Sequence, residues 1–330
     1  MISQILRKTK SVIRSSTYLN ACVYIFYFSL KIRLKNFLNL IEGESGATHQ
    51  KFSTKDSVNY ITNVFTDYCK ASNISEFFGD VLELGPGDNA GVGLLFLANG
   101  AQTVSLVDRF YSKRNNDQQL KIYQELERSY PAIKKLFENG KTNDPDTLPQ
   151  LKRFYGREAS AERFLLNSKS YDFIVSRSVL EHIDKPTLVL KKMYNALRPG
   201  GALIHKVDLR DHGMFPLTSP STKYLELPQW LYWLMVYSTG YPNRFLFHQY
   251  KQILRRLNPD TEFYISRLHG IEEDLSQGYK LEDIPKELIL KSKSFIEKHR
   301  SKFASPFTNV NAEDLMVSGF FFVCKKDRDE

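Results

Sequence analysis

The stretch of sequence that decides the fold is VLELGPGDNA, residues 81–90. Its first five residues are a short apolar run of the kind that forms a buried strand. Gly85 and Gly87 follow, and glycine lets the backbone turn sharply and come close to a ligand. A helix predicted from Ala90 to Asn99 would present free N–H groups at the same place. The pattern therefore predicts a strand, a ligand-binding turn and a helix.

The alternation of apolar strands and helices continues along the chain. Further strands are predicted at 103–108, 152–155, 171–177, 202–208, 262–267 and 318–326, and further helices at 115–139, 186–197 and 248–257. The order βαβαβαβ implies a parallel, doubly wound α/β sheet with helices on both faces. In such a sheet Asp108 ends the second strand, where a carboxylate can accept both hydroxyls of a ribose.

Two cofactors could use this glycine turn. Gly85, Gly87 and Ala90 satisfy the dinucleotide pattern G-x-G-x-x-G/A, with Asp108 as its acid, so an NAD-dependent oxidoreductase is one hypothesis. Glu83, however, lies two residues before Gly85, and a carboxylate there would repel a pyrophosphate. It suits a ligand that carries an ammonium group and no phosphate. S-adenosylmethionine is such a ligand.

Four motifs occur in one order along the chain, and together they are more specific than the turn alone. They are ELGPGDN at 83–89, LVD at 106–108, YDFIVSRSVLEHI at 171–183 and LRPGG at 197–201. On these motifs the chain resembles class I S-adenosylmethionine-dependent methyltransferases of the methyltransferase-11 type. The resemblance implies a Rossmann-like sheet of seven strands and methyl transfer from S-adenosylmethionine. A methyltransferase-like interaction module without catalytic activity would carry the same motifs, and that alternative stays open.

The resemblance also implies which residues contact the cofactor. The glycine turn would lie against its methionine part, Glu83 would hold the amino group, and Asp108 would bind the ribose hydroxyls. Asn89 stands where many members of the family have a third glycine, and asparagine tolerates the same left-handed backbone. The full set of expected cofactor contacts is Glu83, Gly85, Pro86, Gly87, Asn89, Asp108, Arg109, Ala161, Glu162, Ser176, Arg177 and Ser178.

The acceptor is expected at the carboxyl ends of the fourth and fifth strands. A hydroxyl or neutral nitrogen acceptor loses a proton during methyl transfer, and a nearby base helps. His212 is the preferred base because histidine titrates near neutrality, and Asp208 or Asp211 could orient it. His182, beside Glu181 in the LEH block, is a further catalytic candidate, and Arg210 could hold an anionic group of the acceptor.

Two other interpretations of these acceptor-side residues stay open. The charged residues at 208–212 could instead form a network that pins the following insertion to the sheet. A metal site would need ligands on one side of the strand, and alternate residues of a strand face opposite sides. No metal site is therefore expected.

The net charge of +9 belongs mainly to the N-terminus. Residues 1–40 hold seven bases and no acid, which leaves 39 bases against 37 acids in the rest of the chain. The body is near neutral, so no nucleic-acid partner is expected. Residues 15–30 are uncharged, but at about 1.5 Å per residue a helix there is shorter than the roughly 30 Å hydrocarbon core.

The N-terminal segment, residues 1–41, has the pattern of a helix that lies on a membrane. Leu30, Leu34, Phe37, Leu38 and Ile41 recur at helical spacing among basic residues, which suits an interface with anionic lipid. The alternative is a helix that packs on its own domain or on a second subunit. The sequence leaves the oligomeric state open.

The remaining organisation is a linker and one enlarged domain. Residues 42–56 are polar and predict a linker, and 57–330 form the methyltransferase domain, with insertions near 213–247 and 270–312. The first insertion is rich in aromatic residues and is expected to form a lid over a small-molecule, glycan or lipid-linked acceptor; Arg244 within it could contact an anion. The three cysteines are widely separated, which excludes a disulfide scaffold and favours a location in the cytoplasm. Peripheral attachment to the membrane would be compatible with that location.

Overall fold

A seven-stranded mixed sheet organises the molecule. In the computed structural model its strands are β1 Asp80–Leu84, β2 Thr103–Asp108, β3 Leu151–Tyr155, β4 Tyr171–Arg177, β5 Leu197–Asp208, β6 Glu262–Leu268 and β7 Val317–Lys325. They lie in the order β3-β2-β1-β4-β5-β7-β6. Strands β1 to β5 pair in parallel, whereas β7 runs antiparallel to both β5 and β6. The doubly wound, Rossmann-like sheet expected from the sequence is confirmed, and the antiparallel final strand makes it mixed.

The structure describes most of the chain. The described residues are 16–38, 42–43, 48–137, 144–165, 170–216, 218–275 and 278–328. Residues 1–15 and 39–41 of the predicted N-terminal segment lie outside them, and so does part of the predicted linker.

The helices lie on both faces of the sheet. They are α1 Thr17–Tyr24, α2 Leu30–Phe37, α3 Thr54–Ser72, α4 Gly91–Ala98, α5 Asn116–Ser129, α6 Pro131–Leu136, α7 Ala161–Phe164, α8 Pro186–Asn195, α9 Gln229–Val236, α10 Phe247–Leu257, α11 Lys286–Arg300, α12 Ser305–Thr308 and α13 Ala312–Met316. A π-helical turn, Ile25–Ser29, joins α1 to α2. The Ser53 hydroxyl accepts a hydrogen bond from the Asp56 N–H and so caps the start of α3.

Alternation along each strand gives each face of the sheet its own core. In β1, Val81 packs into the cluster that holds α3, α4 and α5, whereas Leu82 and Leu84 pack into the cluster that holds α8 and α10. Burying an aliphatic or aromatic side chain stabilises the fold by about 1.5–3 kcal/mol. The same alternation turns Arg177 and Lys206, at the ends of β4 and β5, toward α3.

The two insertions pack on the sheet together with the N-terminal helices. The Ser29 hydroxyl donates to the Met235 carbonyl at 2.6 Å, and the Thr17 hydroxyl donates to the Glu226 carboxylate at 2.7 Å. The second insertion joins them, since the Ala304 N–H donates to the Leu225 carbonyl at 2.9 Å. Within the described ranges, no helix combines the length and the apolar character needed to cross a bilayer.

Arg244 holds the first insertion together from inside. Its side chain is 7% exposed, and its guanidinium donates to the carbonyls of Tyr224 and Leu227 at 3.1 and 2.5 Å. It also stacks over the rings of Tyr232 and Phe307. The sequence suggested Arg244 as an anion contact. Its two terminal nitrogens instead donate to those carbonyls and to the side-chain oxygen of Gln229, contacts that offset the cost of burying the charge.

We predict that Arg244→Met lowers the free energy of unfolding by about 2–4 kcal/mol, because the carbonyls it serves become buried without donors. Urea denaturation followed by tryptophan fluorescence measures the change. Arg256, which is exposed on α10, provides the matched control, and Arg256→Met should shift stability by less than about 0.5 kcal/mol. Equal small shifts in both variants would refute this role for Arg244.

Candidate active site

A cavity of about 340 Å³ opens at the carboxyl ends of β1, β2 and β4. Ligands of open α/β sheets bind at this edge, where the strand order reverses. Nine of the twelve cofactor contacts expected from the sequence line it: Gly85, Pro86, Gly87, Asp108, Arg109, Ala161, Glu162, Arg177 and Ser178. The wall also includes His182 and His212 from the expected acceptor side.

The glycine turn forms the floor of the cavity. Gly85 and Gly87 have φ angles of +72° and +66°, which residues other than glycine rarely adopt. A Cβ atom at Gly85 would lie 2.3 Å from a methyl group of Val179. The Gly85 N–H donates to the Val107 carbonyl at 2.8 Å, which ties the turn to β2. Glycine is therefore needed at position 85 both for its positive φ angle and because a Cβ atom there would collide with Val179.

Asn89 and Ser176 lie behind the cavity wall. The Asn89 side chain accepts from the Gly91 N–H at 2.6 Å and donates to Gln119, so it shapes the turn from beneath. The Ser176 hydroxyl is hydrogen-bonded to Nδ1 of the buried His205 at 2.7 Å. Both residues support neighbours that line the cavity and do not themselves face it.

Glu83 is buried directly below the turn. It is 5% exposed, and its Oε2 atom has no hydrogen-bond partner among the described residues. Burial raises the pKa of Glu83 to about 8. A buried carboxylate oxygen without a donor is costly. Glu83 does not itself line the cavity, and an ammonium group close to the turn would both supply a donor and favour the ionised carboxylate, which is compatible with the amino group of S-adenosylmethionine.

Asp108 faces the cavity from the end of β2. Its Oδ1 atom accepts from the Phe110 N–H at 2.9 Å. Burial raises the pKa of Asp108 to about 6. The carboxylate is therefore ionised at neutral pH and has accepting capacity left for hydroxyl donors, which suits the two hydroxyls of a ribose.

Residues before α3 supply a wall that the sequence did not predict. Thr48 and His49, within the predicted linker, line the cavity beside the turn. The His49 N–H donates to Asp88 Oδ1 at 3.3 Å, and Asp88 Oδ2 is buried without a partner among the described residues. A three-residue 3-10 turn at His49–Lys51 makes this contact, and so short an element leaves no periodic signal in the sequence.

A cluster of acids and histidines lies at the acceptor end of the cavity. His212 Nε2 is 3.8 Å from Asp208 Oδ1 and 4.0 Å from Glu181 Oε1. The His182 ring packs edge-on against the His212 ring, with centroids 4.8 Å apart. Burial lowers the pKa of His182 to about 4, so this imidazole is neutral near pH 7. In the sequence Glu181 is adjacent to His182 and distant from His212. Only the fold brings its carboxylate close to the His212 ring.

Asp208 and Asp211 have different partners. Burial opposes ionisation of Asp208, but hydrogen bonds from Arg210 outweigh it and hold the pKa of that carboxyl well below its usual value. Asp211 instead accepts from the backbone N–H groups of Gly213 and Phe215 at 3.1 and 3.2 Å. The sequence offered Asp208 and Asp211 as acids that could orient His212. In the structure the carboxylate of Asp208 lies near the His212 ring, whereas that of Asp211 is bonded to the backbone of its own loop.

Three donor atoms of this cluster could also hold a metal ion. Glu181, His182 and His212 each offer one ligand atom, and these atoms lie within 4.8 Å of one another. Two imidazoles and one carboxylate can bind a divalent cation or share a proton, and both chemistries increase the reactivity of a neighbouring hydroxyl. The expectation of no metal site from the sequence did not consider this set, because its members come from two different loops.

The sequence was compared with models of known protein families. A model described as a methyltransferase domain matches residues 60–262. The chain belongs to this methyltransferase family. The matched range runs from α3 to the start of β6 and contains all four motifs on which the resemblance was based. The predicted resemblance to class I S-adenosylmethionine-dependent methyltransferases is confirmed. No match to this methyltransferase is found among curated protein sequences.

The solved structures to which the chain is similar include several methyltransferases. A Haemonchus contortus phosphoethanolamine N-methyltransferase 2 is 17% identical over 81% of this chain, with a TM-score of 0.42, and the chain spans about half of its length, 53%. The plantazolicin methyltransferase BamL is 12% identical over 97% of this chain and 99% of its own, with a TM-score of 0.40.

A putative sarcosine dimethylglycine methyltransferase from Galdieria sulphuraria is 13% identical over 82% of this chain and 86% of its own, with a TM-score of 0.38. At these identities and TM-scores, none of the three structures indicates which acceptor this methyltransferase uses.

Proposed function

We propose that this methyltransferase transfers a methyl group from S-adenosylmethionine to an oxygen or nitrogen atom of a small-molecule, glycan or lipid-linked acceptor. The observation that carries the proposal is the arrangement of Glu83 and Asp108 around the glycine turn. One carboxylate suits the amino group of the cofactor and the other suits its ribose. Asp88, a third buried acid at the turn, adds support, because acids there suit an ammonium group, whereas any of them that is ionised would repel the pyrophosphate of NAD.

The residues of the cavity would hold the cofactor in a defined orientation. Asp108 would accept from its ribose hydroxyls, and Ala161 and Glu162 would flank the adenine. Glu83, which is buried behind the turn and does not line the cavity, would accept from its ammonium group. S-adenosylmethionine, when bound, supplies a methyl group on a sulfonium that leaves as a neutral thioether. The main task of the protein is then to align the acceptor with that methyl group.

We expect Asp108→Asn to weaken binding of S-adenosylhomocysteine by tenfold or more, because the amide cannot accept from both ribose hydroxyls. In the unmodified protein the affinity should fall as pH drops through about 6, where Asp108 takes up a proton, in addition to a decrease below about pH 8, where Glu83 takes up a proton and which the variant should keep. The variant should lose the fall near pH 6. Isothermal titration calorimetry between pH 5 and 8 measures both effects.

Asp117→Asn, at an exposed position on α5, is the matched control and should leave affinity and pH profile unchanged. Binding of NADH in place of S-adenosylhomocysteine would overturn the proposal in favour of an oxidoreductase.

The acceptor end of the cavity is proposed to remove the proton of the acceptor. His212, which lines the cavity, would take it as the bond between the acceptor atom and the methyl carbon forms. Asp208, 3.8 Å away, would orient the imidazole and stabilise its protonated form. His182 would pack against it as a neutral ring, and Asp211 would fix the loop that carries it.

We expect His212→Ala to lower the rate of methyl transfer by about 10²–10⁴-fold while S-adenosylhomocysteine binding is retained. The assay follows labelled methyl groups from S-adenosylmethionine into an extract of cells that lack the protein. His299→Ala, at an imidazole on α11 outside the cavity, is the control. Removal of metal ions by a chelator should leave the rate unchanged. A rate that is lost with the chelator and restored by a divalent cation would assign the cluster to metal binding instead of proton transfer.

We further propose that the N-terminal segment rests on a membrane surface. The aromatic patch, formed by exposed side chains of the N-terminal helices and of the adjacent α9, consists of Phe26, Tyr27, Leu34, Phe37, Trp230 and Trp233. Phe37 is 82% exposed, and Lys31 and Lys35 lie on the same helix without an acid among residues 1–40. Apolar and aromatic side chains beside lysines suit an anionic lipid interface. The three free cysteines are consistent with a location on the cytoplasmic side.

We expect the double variant Phe26→Ser, Phe37→Ser to lose most of its binding to vesicles of phosphatidylcholine and phosphatidylserine in a flotation assay, because its buried apolar contact with lipid is removed. Leu290→Ser, at a site 67% exposed on α11, is the matched control and should float like the unmodified protein. Equal flotation of all three proteins, or none by the unmodified protein, would refute the membrane proposal.

A further inference from the structure

A second, smaller pocket lies beside the main cavity. It encloses about 170 Å³ between the ends of β4, β5, β6 and β7, and Arg177 and Ser178 line both spaces. The cofactor contacts expected from the sequence lie on the side of β1 and β2. The small pocket therefore lies on the acceptor side, separated from the main cavity by the end of β4.

The small pocket carries an excess of positive charge. Its basic side chains are Arg177, Lys206, Arg210 and Arg267. Arg210 is paired with Asp208, and Arg267 is paired with Asp274. These two pairs are neutral.

The excess arises at the other two cations. Arg177 and Lys206 share one oxygen of a single carboxylate, Asp67 Oδ2, at 2.6 and 3.9 Å. One positive charge is thus left without a matching acid within the described residues of the pocket. Lys206 is half-buried, and burial first and the neighbouring Arg177 second lower its pKa, whereas Asp67, Asp274 and Asp208 act in the opposite direction.

We infer that the small pocket binds an oxyanion, a phosphate or carboxylate group, of the methyl acceptor. An acceptor with its reacting atom at His212 could pass its anionic group beyond Ser178 to Lys206, since the two spaces share that wall. Arginine and lysine side chains around one concave site are the donors that oxyanions prefer. This inference rests on the proposed function and extends it by naming the acceptor as anionic.

Thermal unfolding of the full chain with inorganic phosphate, with acetate and with sodium chloride at equal ionic strength tests the inference. Phosphate or acetate should raise the unfolding temperature above the chloride value, and the larger increase identifies the oxyanion. Lys206→Met should weaken the apparent affinity for that anion about tenfold or more, because it removes a charge-assisted hydrogen bond without shortening the side chain. Lys206→Gln provides a second variant if the methionine form does not fold.

Lys325→Met is the matched control, since Lys325 is an exposed lysine of the same sheet at the opposite end. No stabilisation by either anion, or equal stabilisation in the Lys206 and Lys325 variants, would overturn the inference. Titration with S-adenosylhomocysteine on the same proteins keeps the two proposals apart. Lys206→Met should bind S-adenosylhomocysteine as tightly as the unmodified protein does. If the unmodified protein does not bind S-adenosylhomocysteine, the proposed function fails, whatever the result with the anions.

Discussion

The parallel pairing of β1 with both β2 and β4 is the constraint on which the rest of the structure depends. Hydrogen bonds from β1 to two neighbours fix the register Leu84 to Val107 and Leu84 to Ser176, so the three strands end together. The loops that follow them are then forced to share one edge. The glycine turn, Asp108 and the segment from Ser178 to His182 meet there although they are far apart in the chain.

Burial at this edge gives the carboxylates their character. Glu83 and Asp108 are held partly or wholly out of water without a cationic side chain beside them, and this raises both pKa values. At Arg177 the opposite arrangement holds, because Asp67 of α3 pairs with it across the end of β4. Within the described residues, the acids at the glycine turn, Glu83 and Asp108, form no ion pair with a basic side chain. Beyond β4, in contrast, the two basic side chains Arg177 and Lys206 share the single carboxylate of Asp67. A ligand with a positive end and an acceptor with a negative group would complement these two regions.

The insertions and the N-terminal helices form one packed unit on the acceptor side. Arg244 joins the two insertions, and Ser29 and Thr17 attach the N-terminal helices to the first of them. The N-terminal helix pair packs on its own domain with one face, which was one of the two interpretations from the sequence, and it exposes aromatic side chains on the other face. Any surface that receives the exposed face would lie close to the first insertion.

The sequence by itself determined the strands, the parallel doubly wound part of the sheet, the glycine turn and the family, because apolar periodicity and short motifs are local properties of the chain. It also identified eleven of the 23 residues that line the cavity. Only the tertiary structure decided which charged groups meet: Arg177 with Asp67, His212 with Glu181 and Asp208, and His49 with Asp88. Those contacts join separate loops and helices, and side chains in loops follow no period that would reveal their partners. Their positions depend on how each loop leaves the sheet, which is fixed only when the whole chain has packed.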